Sequence, residues 1–218
     1  MVGHELRYAI LSLAAILIMG CPTIWKTEAV KAEVSAKELF QQAEDDFQKK
    51  RYPEAISAYE RLKSAHPDFE KMPEVYQKIA DAFLESGKHE EAVARYRQFL
   101  DLYPNHKDRA RARFMIGMTF FNQIKGADLD DTMVRGAEAS FKDVVNDHNA
   151  GEWKKKAEEK QRECLKKLGE HELYKAQTYY KLGRYKAAHM SAQRVLDDYA
   201  KLGLDKEASE LVEKTKGK

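Results

Sequence analysis

The sequence predicts an all-α protein in which pairs of antiparallel helices stack into an α-α superhelix. Three residues return 37 positions later in the chain: Ala55, Tyr59 and Pro67 recur as Ala92, Tyr96 and Pro104. The chain has only five prolines and eleven glycines in 218 residues, and no run of β-branched residues alternates as a strand does. Charged residues of both signs are interspersed, which is typical of solvated helix faces.

The N-terminal segment has the pattern of a lipoprotein signal peptide. An apolar run from Ala9 to Met19 follows a short polar head and ends in Gly20 and Cys21. These eleven residues suit the core of a signal peptide and fall short of the ~20 that span a bilayer. A small residue before a cysteine resembles the lipobox of bacterial lipoproteins, in which the cysteine receives lipid before cleavage. The alternative is an ordinary signal peptide or an uncleaved anchor.

This pattern sets the expected domain organisation. Residues 1–20 are expected to form the signal peptide and residues 21–34 a linker. Cys21 is expected to carry the lipid, which includes a palmitate. Residues 35–218 form a solenoid of about four helix pairs and a C-terminal capping helix. The mature chain is expected outside the cytoplasm, tethered to a membrane by its lipid.

The first two helix pairs resemble tetratricopeptide repeats. The second pair has nearly every signature position of that repeat: Tyr76, Ala80, Phe83, Gly87, Ala92, Tyr96, Phe99 and Pro104. Ala80 and Ala92 are small, which lets paired helices approach closely, and Gly87 opens the turn between them. The first pair matches at fewer positions: Leu39, Ala43, Phe47, Tyr52, Ala55, Tyr59 and Pro67. It opens on a capping box that begins at Ser35.

The later pairs depart from the pattern in two places. In the third pair the small residues Gly117 and Ala137 are 20 positions apart, against 12 in the second, so eight residues are inserted around 126–132. The fourth pair matches at Ala176, Tyr179, Tyr180, Gly183, Tyr185 and Ala188. A surplus of 14 residues before it extends its first helix backwards over 151–168. The segment 205–214 is amphipathic and is expected to cap the last pair.

Composition and motifs argue against an enzyme. The net charge of +2 is nearly neutral, which together with export argues against nucleic acid as a partner. The seven histidines are scattered, and the chain has no phosphate-binding loop, nucleophile motif or metal-ligand spacing. We therefore expect no cofactor and no metal. Once lipid occupies Cys21, Cys164 is alone, and its helical face predicts a buried, inert thiol.

The stretch from Glu163 to Ala188 resembles the fourth-repeat region of the BamD family, lipoproteins of the outer-membrane β-barrel assembly machinery. The resemblance implies a non-enzymatic scaffold in the periplasmic leaflet of the outer membrane, bound to a BamA-like protein and to other Bam lipoproteins. It also leads us to expect contact with unfolded outer-membrane protein segments. Two departures leave room for a paralogue: Ser191 stands where the family commonly has arginine, and Ala200 replaces a proline.

A second interpretation stays open, that of a periplasmic tetratricopeptide lipoprotein in envelope or peptidoglycan maintenance, similar to the Tol-Pal accessory proteins. A regulatory subunit of an enzyme is a third. All three interpretations are of binding proteins, so the candidate residues are those that contact a partner.

Two sets of candidate residues follow. The first helices of such arrays line an inner face, and this register predicts an apolar peptide groove of Phe40, Phe47, Leu84, Phe114, Met118 and Phe121. Core packing between repeats is the alternative, above all for Phe47 and Phe121. The family resemblance implies a C-terminal contact with the BamA-like partner through Tyr180, Arg184 and Ser191, of which Arg184 and Ser191 are expected to be exposed.

Overall fold

The computed structural model describes residues 34–124 and 131–218. Cys21 and the predicted signal peptide lie outside these ranges. Within them the chain forms nine α-helices and no strand: α1 Ala36–Gln48, α2 Tyr52–Ala65, α3 Met72–Glu85, α4 His89–Leu102, α5 Arg109–Phe121, α6 Thr132–Val145, α7 Glu152–Lys181, α8 Tyr185–Asp198 and α9 Asp205–Thr215. Residues from Ala36 to Lys218 form one compact unit. The predicted all-α fold of tetratricopeptide-like helix pairs is confirmed.

Consecutive helices pair as the repeat pattern predicts, α1 with α2, α3 with α4, α5 with α6 and α7 with α8. We call these pairs units 1 to 4. In units 1, 2 and 4 a three-residue turn joins the two helices. Its central residue is Lys50, Gly87 or Gly183, each with a left-handed backbone, φ 57°, 76° and 70°. The next backbone N–H then donates back to a carbonyl in the last turn of the first helix, which closes the helix end.

Small residues in the first helices allow the paired helices to pack closely. Ala43, Ala80 and Ala176 are completely buried. In unit 3 the equivalent residue is Gly117, and a Cβ atom there would lie 2.6 Å from a ring carbon of Phe141. Since real Cβ atoms do not approach so closely, only glycine lets the Phe141 ring pack this closely against α5.

The structure contains both departures from the repeat that the spacing predicts. The connection between α5 and α6 runs from residue 122 to 131, ten residues instead of three. The first helix of unit 4, α7, has 30 residues, whereas the other helices have 11 to 14. Its first half packs on unit 3, where Ala157 and Cys164 join a core cluster with Phe141. Its second half pairs with α8, on which α9 also packs.

The buried thiol is as expected from the sequence. Cys164 has no exposed surface, and burial raises the pKa of its thiol to about 12, with Glu138 and Glu163 adding to the effect. A thiol that stays protonated is a weak nucleophile. Of the helices in the two described ranges, none combines the length and the apolar composition needed to cross a membrane.

Candidate functional site

A ladder of charged residues crosses the first helices of units 1 to 3. Lys78 Nζ in α3 donates to Glu44 Oε2 in α1 over 2.8 Å. One repeat later, Arg111 in α5 donates to both carboxylate oxygens of Asp81 in α3, over 2.9 and 2.7 Å. We call these four residues the polar seam. It joins neighbouring units through ion pairs that are partly exposed.

Each carboxylate of the polar seam also accepts a hydrogen bond from a tyrosine in the second helix of its own unit. Tyr59 donates to Glu44, and Tyr96 donates to Asp81. Burial, followed by the neighbouring carboxylate, raises the pKa of both tyrosines well above its usual value. Both phenols therefore stay neutral, and each carboxylate is held between its own unit and the next.

The predicted anchors of unit 1 are half-buried beside the seam. The ring of Phe40 packs against Tyr59 and Phe69, with centroids 6.2 and 5.6 Å apart, and Lys71 lies over it. The ring of Phe47 packs edge-on against Tyr52 at 5.6 Å. Lys78 Nζ lies 5.2 Å from the Phe47 centroid. Both rings thus keep part of their surface exposed while bordering charged groups.

The other four groove residues belong to the packing of later units. Phe114 is only 9% exposed and lies between Phe141 and Trp153, at centroid distances of 5.4 and 5.2 Å. The expectation that it lines an open groove is therefore wrong. Met118 and Phe121 pack on the same cluster, whereas Leu84 packs on the core of units 2 and 3. The six residues are divided between separate clusters and do not form one continuous groove.

The C-terminal candidates lie at the turn of unit 4. Tyr180 and Tyr185 pack edge-on at 5.5 Å, and Lys218 Nζ lies 5.7 and 4.8 Å from their ring centroids. Arg184 is exposed beside them. Ser191 is not exposed, contrary to expectation: it is 6% exposed and hydrogen-bonds to the carboxylate of Glu172.

Glu172 explains why Ser191 is turned inward. The carboxylate is itself buried and forms ion pairs with Lys175 and with Arg194, the latter over 2.8 Å. Burial alone would raise the pKa of Glu172, but the hydrogen bonds from Lys175 and Ser191 bring it below its usual value. Ser191, at the position where the family commonly has arginine, is thus buried between α7 and α8.

Two exposed apolar residues near this turn were missed by the sequence reasoning. Leu182 is 62% and Met190 56% exposed. A comparison of equivalent positions reveals them, because units 1 and 2 have polar or small residues there. A search for matches to the repeat signature does not reveal these two residues, since neither position belongs to that signature.

A buried aspartate that was also missed clamps the loop before α7. Arg109 donates to both carboxylate oxygens of Asp147 over 2.7 and 2.6 Å, and Arg113 donates over 3.2 Å. The backbone N–H of Asn149 donates a further bond over 2.9 Å. The hydrogen bond from Arg109, opposed only in part by burial, lowers the pKa of Asp147 to about 2. The clamp fixes the start of the long helix against α5.

Comparison with known proteins places the chain in a family. The model of the YfiO family, described as outer membrane lipoprotein, matches residues 32–216. The chain belongs to this family. Relatives of the chain are named outer membrane protein assembly factor BamD, which confirms the resemblance to the BamD family. The protein of Neisseria meningitidis serogroup A is 25% identical over 199 residues, 87% of this chain and 74% of the relative. That of Neisseria gonorrhoeae is 24% identical over the same shares.

Among solved structures, this member of the YfiO family is similar to the TPR2AB domain of yeast Sti1 in complex with pHSP90. The TM-score is 0.48 at 14% identity, over 83% of this chain and 76% of the other. The MamA protein gives a TM-score of 0.44 at 16% identity, over 83% of this chain and 85% of the other.

Proposed function

We propose that the chain is a lipid-anchored, non-enzymatic scaffold of the outer-membrane β-barrel assembly machinery. It holds the periplasmic domains of a BamA-like protein through units 3 and 4, alongside other Bam lipoproteins. The observation that carries this proposal is the family match over residues 32–216, together with relatives named outer membrane protein assembly factor BamD. The match spans all nine helices of the described residues.

The proposed anchor is the lipid on Cys21, in the periplasmic leaflet of the outer membrane. The pattern from Leu17 to Cys21 supports it, and Pro22 is not the aspartate that retains enterobacterial lipoproteins at the inner membrane. Cys21→Ser should leave the chain uncleaved or loosely held when membranes are fractionated. Cys164→Ser is the matched control, since that thiol is buried in α7 and should not change fractionation. Normal processing of Cys21→Ser would refute the anchor.

Units 1 and 2 are proposed to receive an unfolded segment of a barrel precursor. Phe40 and Phe47 offer partly exposed rings on α1. The Glu44 carboxylate lies on the same helix and pairs with Lys78, whose ammonium lies over Phe47. Rings spaced along one face take apolar side chains of an extended segment, while carboxylates accept hydrogen bonds from its backbone N–H groups. The apolar part of this surface is smaller than the sequence suggested, since Phe114 lies in the core.

Depletion of the chain tests the assembly role directly. The amounts of several outer-membrane β-barrels are measured by immunoblotting as the chain is depleted, with cell septation followed by microscopy. Loss of many barrels before any septation defect is the expected result. Normal barrel levels with a septation defect would refute the proposal and favour a Tol-Pal accessory role.

A further inference from the structure

A cavity opens between α3 and α5, the first helices of units 2 and 3. It has a volume of about 540 Å³ and is bordered by the two helices and by the loops that precede them. Gln77, Asp81 and Arg111 line it, and so does Lys71, which lies over the ring of Phe40. The cavity therefore adjoins the aromatic anchor that is proposed to hold a precursor segment in unit 1.

Gln77 is an exception among the equivalent residues of the four units. Three positions before the small residue, units 1, 3 and 4 have Phe40, Phe114 and Leu173, all of them apolar, whereas unit 2 has a glutamine. This glutamine is nevertheless buried, with only 5% of its surface exposed. Because burial of a polar group is costly unless the group is hydrogen-bonded, packing of the repeat does not account for a glutamine here.

The orientation of the Gln77 carboxamide is fixed by Arg111. Arg111 Nη1 donates to Gln77 Oε1 over 3.1 Å, and since a guanidinium has donors only, the oxygen of the carboxamide has to face it. Within residues 34–124 and 131–218 the amide nitrogen has no hydrogen-bond partner, yet it is not sealed from solvent. Its two N–H groups therefore open into the cavity that Gln77 lines.

Arg111 does not depend on Gln77 for its place in the polar seam. Its guanidinium already donates to both carboxylate oxygens of Asp81. The corresponding pair of Lys78 and Glu44 forms with Phe40 at the position equivalent to Gln77, without any glutamine. The acceptor of Gln77 is thus dispensable for the seam, and its two donors are left without a role inside the fold.

We propose that Gln77 binds a backbone carbonyl of an extended peptide segment that crosses this cavity. The exposed carboxylate of Glu74, one turn earlier on the same face of α3, accepts an N–H of the same segment. A donor beside an acceptor matches an amide group, which has one of each. This inference rests on the proposed reception of a precursor segment. It names the chemistry by which unit 2 holds the segment that Phe40 anchors in unit 1.

The form of the cavity favours the backbone over the side-chain amide of an asparagine or glutamine. The cavity extends from the loop before α3 to the loop before α5 and is larger than one side chain can fill. An extended segment presents a carbonyl or an N–H along its whole length, so that main-chain hydrogen bonds form whatever its sequence. Such contacts suit a site that receives segments of different precursors.

Peptide titration of two Gln77 variants tests the inference. The full chain is titrated by calorimetry with a synthetic peptide of the terminal strand of a barrel precursor from the same organism. Gln77→Leu removes the carboxamide, whereas Gln77→Glu keeps an oxygen for Arg111 but has no N–H. Each should weaken binding about fivefold or more, and Gln77→Leu should not lower the melting temperature, because other units have apolar residues there. Gln161→Leu is the matched control, at a half-buried glutamine of α7 that donates to Glu138, and should bind within about twofold of the wild type.

An ester in place of one backbone amide of the peptide identifies the contact. An ester lacks the N–H and has a weaker carbonyl acceptor. At one position of the peptide the ester should weaken binding to the wild type, and it should weaken binding to Gln77→Leu much less, because the contact is already lost there. If replacing the asparagines and glutamines of the peptide by serine instead removes the difference between wild type and Gln77→Leu, a side-chain amide is the ligand and the proposal is overturned.

The remaining outcomes separate this inference from the proposed function. Peptide binding that both Gln77 variants retain overturns the inference and leaves the reception of precursors standing. A parallel loss of binding and melting temperature in Gln77→Leu makes Gln77 a packing residue, which also overturns it. If the wild type binds no peptide, the reception of precursors fails and this inference fails with it, whereas depletion of the chain decides the assembly role independently.

Discussion

Units 1 to 3 and units 3 to 4 are built from the same repeat, but the joints among the first three units add a row of ion pairs to their apolar packing. The polar seam joins units 1 to 3 through side chains that are 15% to 28% exposed. Units 2 and 3 also share a buried apolar cluster, whereas the larger cluster that joins units 3 and 4 contains Phe141 and Cys164, both completely buried. Glu44, Asp81 and Met118 occupy equivalent positions in units 1, 2 and 3, each 37 residues after the last. The third of these positions has an apolar residue in place of a carboxylate, and the seam ends there.

This difference shows that the repeat pattern sets which helices are neighbours but not how firmly neighbouring units are held. Partly exposed ion pairs contribute little and are screened by salt. Burial of aromatic side chains contributes several times more and is insensitive to salt. Since the long α7 adds buried apolar surface to unit 3, we expect units 1 and 2 to open at lower free energy than units 3 and 4, which hydrogen exchange can measure residue by residue.

The largest effect is expected in the apolar joint. Phe141→Ala removes a completely buried ring that contacts Phe114 and Phe121, and it should lower the free energy of unfolding by about 3–5 kcal/mol. Urea titration followed by circular dichroism measures this. Tyr174→Ala, at a residue 57% exposed on α7, is the control and should cost less than about 0.5 kcal/mol. An equal, small loss for both variants would contradict an apolar joint.

The Asp147 clamp gives the next largest effect, with a defined pH dependence. Asp147→Asn leaves Arg109 and Arg113 without their carboxylate and should cost about 2 kcal/mol at neutral pH. The pKa of about 2 in the folded chain lies below the value of about 4 in an unfolded one. The stabilisation by Asp147 is therefore complete above pH ~4 and is lost as the pH falls towards ~2.

Unfolding titrations of wild type and Asp147→Asn between these pH values measure the dependence. The two free energies of unfolding should converge as the pH falls, because the wild type loses what the variant already lacks. A constant difference across this range would show that the charge of Asp147 is not what stabilises the loop. Asp143→Asn, at an exposed position in the last turn of α6, serves as the control, and its difference from the wild type should not change with pH.

The helices could be predicted from the sequence, but the joints between units could not. Small residues such as Ala80 and Gly117 identify paired helices because only the partner helix approaches them closely. The clamp was missed because Arg109 and Asp147 are 38 residues apart, and their meeting depends on the path of the loop before α7. Ser191 was misplaced because its inward orientation depends on Glu172, a buried charge that no repeat position requires.

A binding measurement tests whether the Phe40 ring of unit 1 binds a peptide or serves only the core. Phe40→Ala should weaken the binding of a peptide from the terminal strand of a barrel precursor about tenfold, with only a small change in melting temperature, because the ring is half-buried. Phe83→Ala is the matched control, a half-buried ring in α3 that packs on the core of units 2 and 3. Equal loss of peptide binding in both variants, in proportion to melting, would make Phe40 a core residue.

The smallest effect is expected in the polar seam and should depend on salt. Arg111→Met removes both hydrogen bonds to Asp81 while keeping an apolar stem of similar reach. We expect a loss of about 1 kcal/mol at low salt, and less in ~1 M salt because screening already weakens the wild-type pair. Hydrogen exchange of α3 amides measures it. A loss that does not depend on salt would mean that the seam acts by packing.

The long helix has a mechanical consequence. With 30 residues and a rise of about 1.5 Å per residue, α7 is a rod about 45 Å long. One end is held in the core of unit 3 through Ala157 and Cys164, and the other end reaches Leu182. No turn interrupts the rod, so a force applied at the turn of unit 4 is transmitted as torque to the core of unit 3. Units 3 and 4 therefore move together as one lever arm, because the same helix belongs to the core of both.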